Sequence, residues 1–179
     1  MRFKGFIKRL RRDKTIFLQH RKLLADYLDE NIIELVSNSE KSDDKLVFYL
    51  SHHTLLRLDS IYTKCRIVCD ASAHDEGQIS LNDCMNAGMN LSSNIFHLLL
   101  NFRFNKLAML AYIEKAFLQI SINENERDVL RLLFVDSNPI DKHFQNLCYR
   151  FRRLLLSLNA SPYILSAIIK KNITSFQKE

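Results

Sequence analysis

The first fourteen residues of this 179-residue chain carry Arg2, Lys4, Lys8, Arg9, Arg11, Arg12 and Lys14 against a single Asp13. Clustered cations of this kind suit phosphate backbones, an anionic membrane or an organellar import receptor, or they form a solvated basic tail. The other chemistry-bearing groupings are poorer. His52-His53 and the Cys65/Cys69 pair stand on separate predicted strands, without the CxxC or HxxxH spacing of a zinc site. Asp70 and Ser72 have no histidine at a comparable spacing, so no hydrolase triad is expected, and Asp43-Asp44 falls in a polar, solvated loop. With three glycines in the chain there is no phosphate-cradling loop, which excludes P-loop and dinucleotide-binding readings.

The elements that must position these residues follow from hydrophobic periodicity. Phe3, Phe6, Ile7 and Leu10 at i, i+3, i+4, i+7 predict a basic amphipathic helix. It contains no serine and leads straight into more helix, unlike a presequence. Phe17, Leu23, Leu24, Tyr27 and Leu28 continue a helix from Thr15 to about Asn31, and Asn31–Val36 reads as an extended exit. Ser37–Lys45 is a polar loop. Leu46–Leu58 reads as one or two strands and Lys64–Asp70 as another. Ala71–Gly88 is a long connection, of the kind that tends to be functional. Leu91, Ile95, Leu98, Leu99 and Phe102 mark a helix, Leu107–Ile113 a short apolar strand, and Glu114–Gln119 a helix start. Leu130–Val135 and Phe144–Phe151 read as a strand pair across a turn holding Asn138-Pro139. Ser161 is expected as the N-cap of the last helix, with Pro162 at its first position. The mixed order predicts α+β.

Composition is ordinary for a globular protein, with 47% hydrophobic and 26% charged residues and a net charge of +6. The four cysteines without CxxC spacing, and the lack of a signal peptide, point to reduced thiols and an intracellular setting, cytoplasm or nucleus. No apolar run reaches the ~18 residues of a spanning helix.

Four blocks in order resemble the reverse transcriptases of BEL/Pao-type retrotransposons. They are KLVFYLSHHTLLRLDSIYTKCRIVCDASA (Lys45 to Ala73), SLNDCMNAG (Ser80 to Gly88), LAYIEKAFLQISINENERD (Leu110 to Asp128) and LLLSLNASPYIL (Leu154 to Leu165). The resemblance implies a truncated right-hand polymerase: a basic N-terminal arm (1–14), fingers (about 15–90) and the start of a palm (about 91–179). It implies Leu107–Ile113 in a palm-like sheet near Phe144–Phe151.

The chemistry implied is phosphoryl transfer to a primer end by two Mg²⁺ ions clamped between carboxylates. The first carboxylate position holds Tyr112, a neutral phenol that Mg²⁺ does not favour, and an Asp-Asp hairpin is expected only beyond Glu179. No catalytic residue, metal ligand or cofactor is therefore expected. The nucleotide-binding remnants implied are Lys64 and Arg66 for phosphate, Phe117 at the sugar, and Asn159, Ser161 and Pro162 near template and primer. Read alone, Arg66 is a surface strand arginine and Phe117 a core aromatic. The expected partner is RNA or DNA, bound weakly by Lys4, Lys8, Arg9, Arg11 and Arg12. The alternatives are a fragment of a longer polymerase, a repurposed small binding protein, or a chain that an unpaired strand edge makes unstable.

Overall fold

The apolar stripe of the first segment decides where its charges go. The structure, a computed structural model, describes residues 2–36, 46–56, 65–137 and 144–176. Helix α1 (Arg2–Arg12) buries Phe6, Ile7 and Leu10 and leaves Lys4, Lys8, Arg9, Arg11 and Arg12 exposed. Its charges make it an arm, but its inner face belongs to the core. Asp13 then starts helix α2 (Lys14–Asp29): its side chain accepts from the Thr15 and Ile16 amides at 2.9 and 3.1 Å. Phe17, His20, Leu24 and Tyr27 are the buried stripe. His20 occupies the i+3 position after Phe17, a place that apolar periodicity alone does not mark, and Leu28 lies outside the stripe.

Beyond α2 the expected extended exit becomes strand β1 (Ile33–Leu35), which pairs antiparallel with β5 (Asn146–Phe151). Strand β4 (Arg131–Val135) pairs with the other edge of β5, giving a sheet of order β1-β5-β4. Strands β2 (Ser51–Leu56) and β3 (Cys65–Asp70) form an antiparallel hairpin in the register Ser51↔Asp70 to Leu56↔Cys65. The two sheets are tied where the Leu50 amide donates to the Arg131 carbonyl at 2.7 Å and the Arg131 amide to the Phe48 carbonyl at 3.1 Å. Those bonds cover the outer edge of β4 at Arg131. Phe134, Phe151, Leu132, Leu10 and Ile33 fill the space between the main sheet and the first two helices.

Helices α3 (Ile95–Phe104) and α4 (Ser161–Phe176) complete a mixed α+β fold. Ser37–Lys45, Leu58, Lys64 and the Asn138-Pro139 turn lie outside the described residues.

Three expectations are corrected. Leu107–Ile113 is not a strand and lies in neither sheet. β5, the strand expected near it, already has β1 on one edge and β4 on the other, so the stretch cannot pair with β5 itself. Glu114–Gln119 does not open an α-helix; a short 3-10 turn, Ala116–Gln119, follows Lys115, whose φ of 50° is left-handed. Ser161 is not a cap. Its hydroxyl donates to the Leu155 carbonyl at 2.5 Å, and Ala160 supplies the carbonyl for the first helical bond, from the Ile164 amide. Pro162 follows inside the first turn, where a missing N–H costs no intrahelical bond.

Candidate functional site

The connection after β3 and the turn before α4 are sewn together by two asparagines. Asp70 accepts from the Ser72 amide, and the Ser72 hydroxyl accepts from the Asn82 amide group at 2.8 Å. That same Asn82 nitrogen donates to the Ser157 carbonyl at 3.1 Å, while its oxygen accepts from the Asn159 amide at 3.0 Å. Asn159 answers by donating its side-chain nitrogen to the carbonyls of Asn82 and Met85. Ser80 and Asp83 bond reciprocally and hold the turn that presents Asn82. Gly88 completes the join: at φ +74° its backbone lies on Tyr163, and a β-carbon there would collide with the ring. Only glycine tolerates both conditions. The clasp thus joins parts of three separated blocks, around Asp70–Ser72, Ser80–Gly88 and Ser157–Tyr163.

The other expected site residues are less convergent. Arg66 lies exposed on β3, opposite Leu55. Phe117 is half-buried against the core in the turn after Lys115, which is itself fixed by a 2.6 Å ion pair to Glu30. Pro162 is exposed and Ser161 wholly buried, so that hydroxyl serves the chain rather than a ligand. Tyr112 is 75% exposed in the irregular 105–115 stretch. A phenol at that position supplies no carboxylate for Mg²⁺, and among the described residues no group of three or more His, Cys, Asp or Glu is placed to hold a metal. The residues present do not fit the two-ion site the resemblance implies.

Two buried polar groups have no counterpart among the sequence expectations. On β2 the pleat turns His52 inward and His53 outward, bringing His52 opposite Cys69. His52 lies edge-on to Phe6 and 5.2 Å from the His20 ring, which stacks on Phe134. His20 Nδ1 is hydrogen-bonded to the Thr54 hydroxyl at 2.5 Å, and both Nε2 atoms are buried without a hydrogen-bond partner. Burial, and then the neighbouring His52, pushes His20 down to about 3. Burial also pushes His52 down to about 4, against a hydrogen bond with the Leu50 carbonyl. Both are neutral core rings.

The second group is a row across the main sheet, where Glu34, Arg150 and Arg131 face one another by register. Arg150 bridges Glu34 at 2.6 Å and Asp128 at 3.1 Å, and Arg131 binds Asp128 at 2.8 Å. Burial would raise the Asp128 carboxyl, but the hydrogen bonds from Arg131 and Arg150 outweigh it and hold the group below the usual range. Arg127 and Arg152 add ion pairs to Glu34. Alternation along β5, where Arg150 stands between Tyr149 and Phe151, was the available signal, whereas Arg131 opens β4 without one.

A cleft of about 680 Å³ opens between α1, the 46–52 segment and the loop at 73–79, lined by Phe3, Phe48, Tyr49 and His74 among others. None of the expected nucleotide-binding residues lines it. No helix of the described residues is long and apolar enough to cross a membrane. No family model matches the chain, and no curated protein matches it significantly.

Proposed function

We propose that the chain is a retrotransposon-derived reverse-transcriptase domain, fingers with a partial palm, that does not polymerise and retains affinity only for nucleic-acid backbones. The Asn82–Asn159 clasp carries the reading, because it ties two neighbouring blocks that resemble the family, through Ser72 and Asn82, to a third some seventy-seven residues further on. The hairpin of β2 and β3, with Arg66 on its exposed side, supports the fingers part of it. Tyr112 removes the first metal-binding carboxylate. No templated nucleotide incorporation is therefore expected with Mg²⁺ or Mn²⁺, and primer extension above a no-protein control would overturn the inactive assignment.

The alternative, a repurposed small nucleic-acid-binding protein, is favoured by α1. Its core-packed face fixes Lys4, Lys8, Arg9, Arg11 and Arg12 on a solvent-facing helix. Such cations read phosphate without reading bases. Because Phe6, Ile7 and Leu10 are in the core, the test is charge removal rather than deletion of the helix. Replacing Lys4, Lys8, Arg9 and Arg12 by Gln should weaken binding to a labelled RNA. The log–log salt slope should flatten by about 0.7 for each phosphate of the single strand that is no longer neutralised. Equal binding by variant and parent at low salt means that α1 is only a solubilising face. Abolished binding with Arg66→Ala alone moves the contact surface to the hairpin.

A further inference from the structure

Between Asp83 and Glu114 the chain has no carboxylate, and its only cations are Arg103 and Lys106. Within it, from Ile95 to Ile113, twelve large apolar side chains are more than a third exposed. Helix α3 buries none of its residues. Its polar residues are only His97, Asn101 and Arg103, so most of its circumference is apolar and calls for cover. At ~150–250 Å² for a large side chain, this surface amounts to on the order of 1,000 Å². The largest apolar patch on an ordinary monomer is about 300–600 Å². A stable two-partner interface takes about 800 Å² from each side, so the exposed area matches what one partner contributes.

We propose that residues 95–113 are the interface of a two-fold homodimer, in which α3 packs antiparallel against α3 of a second copy. Antiparallel pairing about the helix centre, between Leu99 and Leu100, sets Arg103 of one copy against Phe96 of the other. The two Arg103 side chains are thereby kept apart, and each cation meets an aromatic face. The helix macrodipoles also oppose favourably. A lipid surface suits the segment less well. Electrostatic attachment to anionic lipid draws on clusters of about 4–8 Lys/Arg, and this stretch has two. At ten residues, α3 is also about 15 Å long, half a hydrocarbon core. The inference is independent of the polymerase-like reading, since it uses neither the clasp nor the basic face of α1.

Sedimentation equilibrium of the full chain over roughly 1–100 µM is the test. The expected result is a monomer–dimer equilibrium with twice the mass of one chain as its limit. The double variant Leu99→Glu/Leu110→Glu should weaken it by about 100-fold or more. Its circular dichroism and melting temperature, extrapolated to monomer, should be unchanged, because both side chains are already more than half exposed. Hydrogen exchange of the parent provides a reading that needs no variant: concentration-dependent protection should be confined to 95–113. A parent that stays monomeric at about 100 µM overturns the proposal, as do polydisperse aggregates in place of a defined dimer. So does a dimer unaffected by the double variant. A monomeric parent that floats with phosphatidylcholine/phosphatidylserine vesicles, while the variant does not, replaces the dimer with a lipid surface.

Discussion

Two short apolar stretches of similar composition meet opposite fates in this molecule. RLLFV, Arg131–Val135, forms β4 and leaves Leu132 wholly buried and Phe134 2% exposed. LAMLAYI, Leu107–Ile113, forms no strand and leaves Leu107, Met109 and Leu110 about nine-tenths exposed or more. The local pattern does not separate them. What separates them is a partner: β4 lies beside β5, whose facing row of backbone groups it pairs with along its whole length. The 107–113 stretch finds both edges of β5 already taken. An apolar run is a demand for cover, and topology decides whether the chain itself supplies it.

The largest effects should fall on the covered side of this comparison. Phe134→Ala removes a ring packed against Phe6, Phe17 and His20, and should cost about 3–5 kcal/mol in urea unfolding. Asp128→Ala leaves Arg131 buried without its carboxylate, and a destabilisation of about 3 kcal/mol or more is expected, whereas Arg150 keeps Glu34. A destabilisation below about 1 kcal/mol in either would mean that the sheet is not the anchor of the fold.

Acid should loosen the same side. The pKa values of His20 and His52 in the fold, about 3 and about 4, lie below the unfolded value near 6.5, so the unfolded chain takes up protons first. Stability is complete above about pH 6.5 and declines steadily as pH falls toward 4. Asp128, held low in the fold, adds a further decline that begins near pH 5, where an unfolded carboxylate starts to protonate, and grows below about pH 4. Urea midpoints of His20→Gln/His52→Gln should therefore be flat between about pH 6.5 and 5. A parent whose midpoint does not change over that range would place the two rings in contact with water.

The clasp should respond on a smaller scale. Gly88→Ala forces a β-carbon onto the Tyr163 ring at a positive φ, and about 1–3 kcal/mol is expected. In that background Tyr163→Ala should restore the steric part and leave the backbone part, a split that thermal melts can measure. The smallest effect belongs to the uncovered stretch: Leu110→Ala in the monomer should lie within about 0.5 kcal/mol of the parent.

Much of the architecture is legible without the structure. The basic stripe helix and α2 follow from 3.6-residue periodicity, because burying one face is a local property of the chain, and β2, β3 and the β4–β5 pair from short apolar runs bounded by turn signals. A resemblance marks Asn159, but nothing in it marks the tie to Asn82, seventy-seven residues away. Ser161 reads as a cap because capping is the local use of a serine, whereas the hydroxyl reaches back six residues to Leu155. A histidine between Phe17 and Leu24 reads as polar until Phe6, His52 and Phe134 are packed around it, which is why His20 escapes a periodicity argument.

The amino-acid sequence by itself determined which faces are apolar, where the cations of α1 stand, and that position 112 holds a phenol. Those are properties of residue type and spacing. Only the tertiary structure decided that β5 is the central strand, that Arg150 joins Glu34 to Asp128, and that Asn82 meets Asn159. Each depends on which distant backbone edges and polar groups come together, and that is set by competition among partners for the same edge.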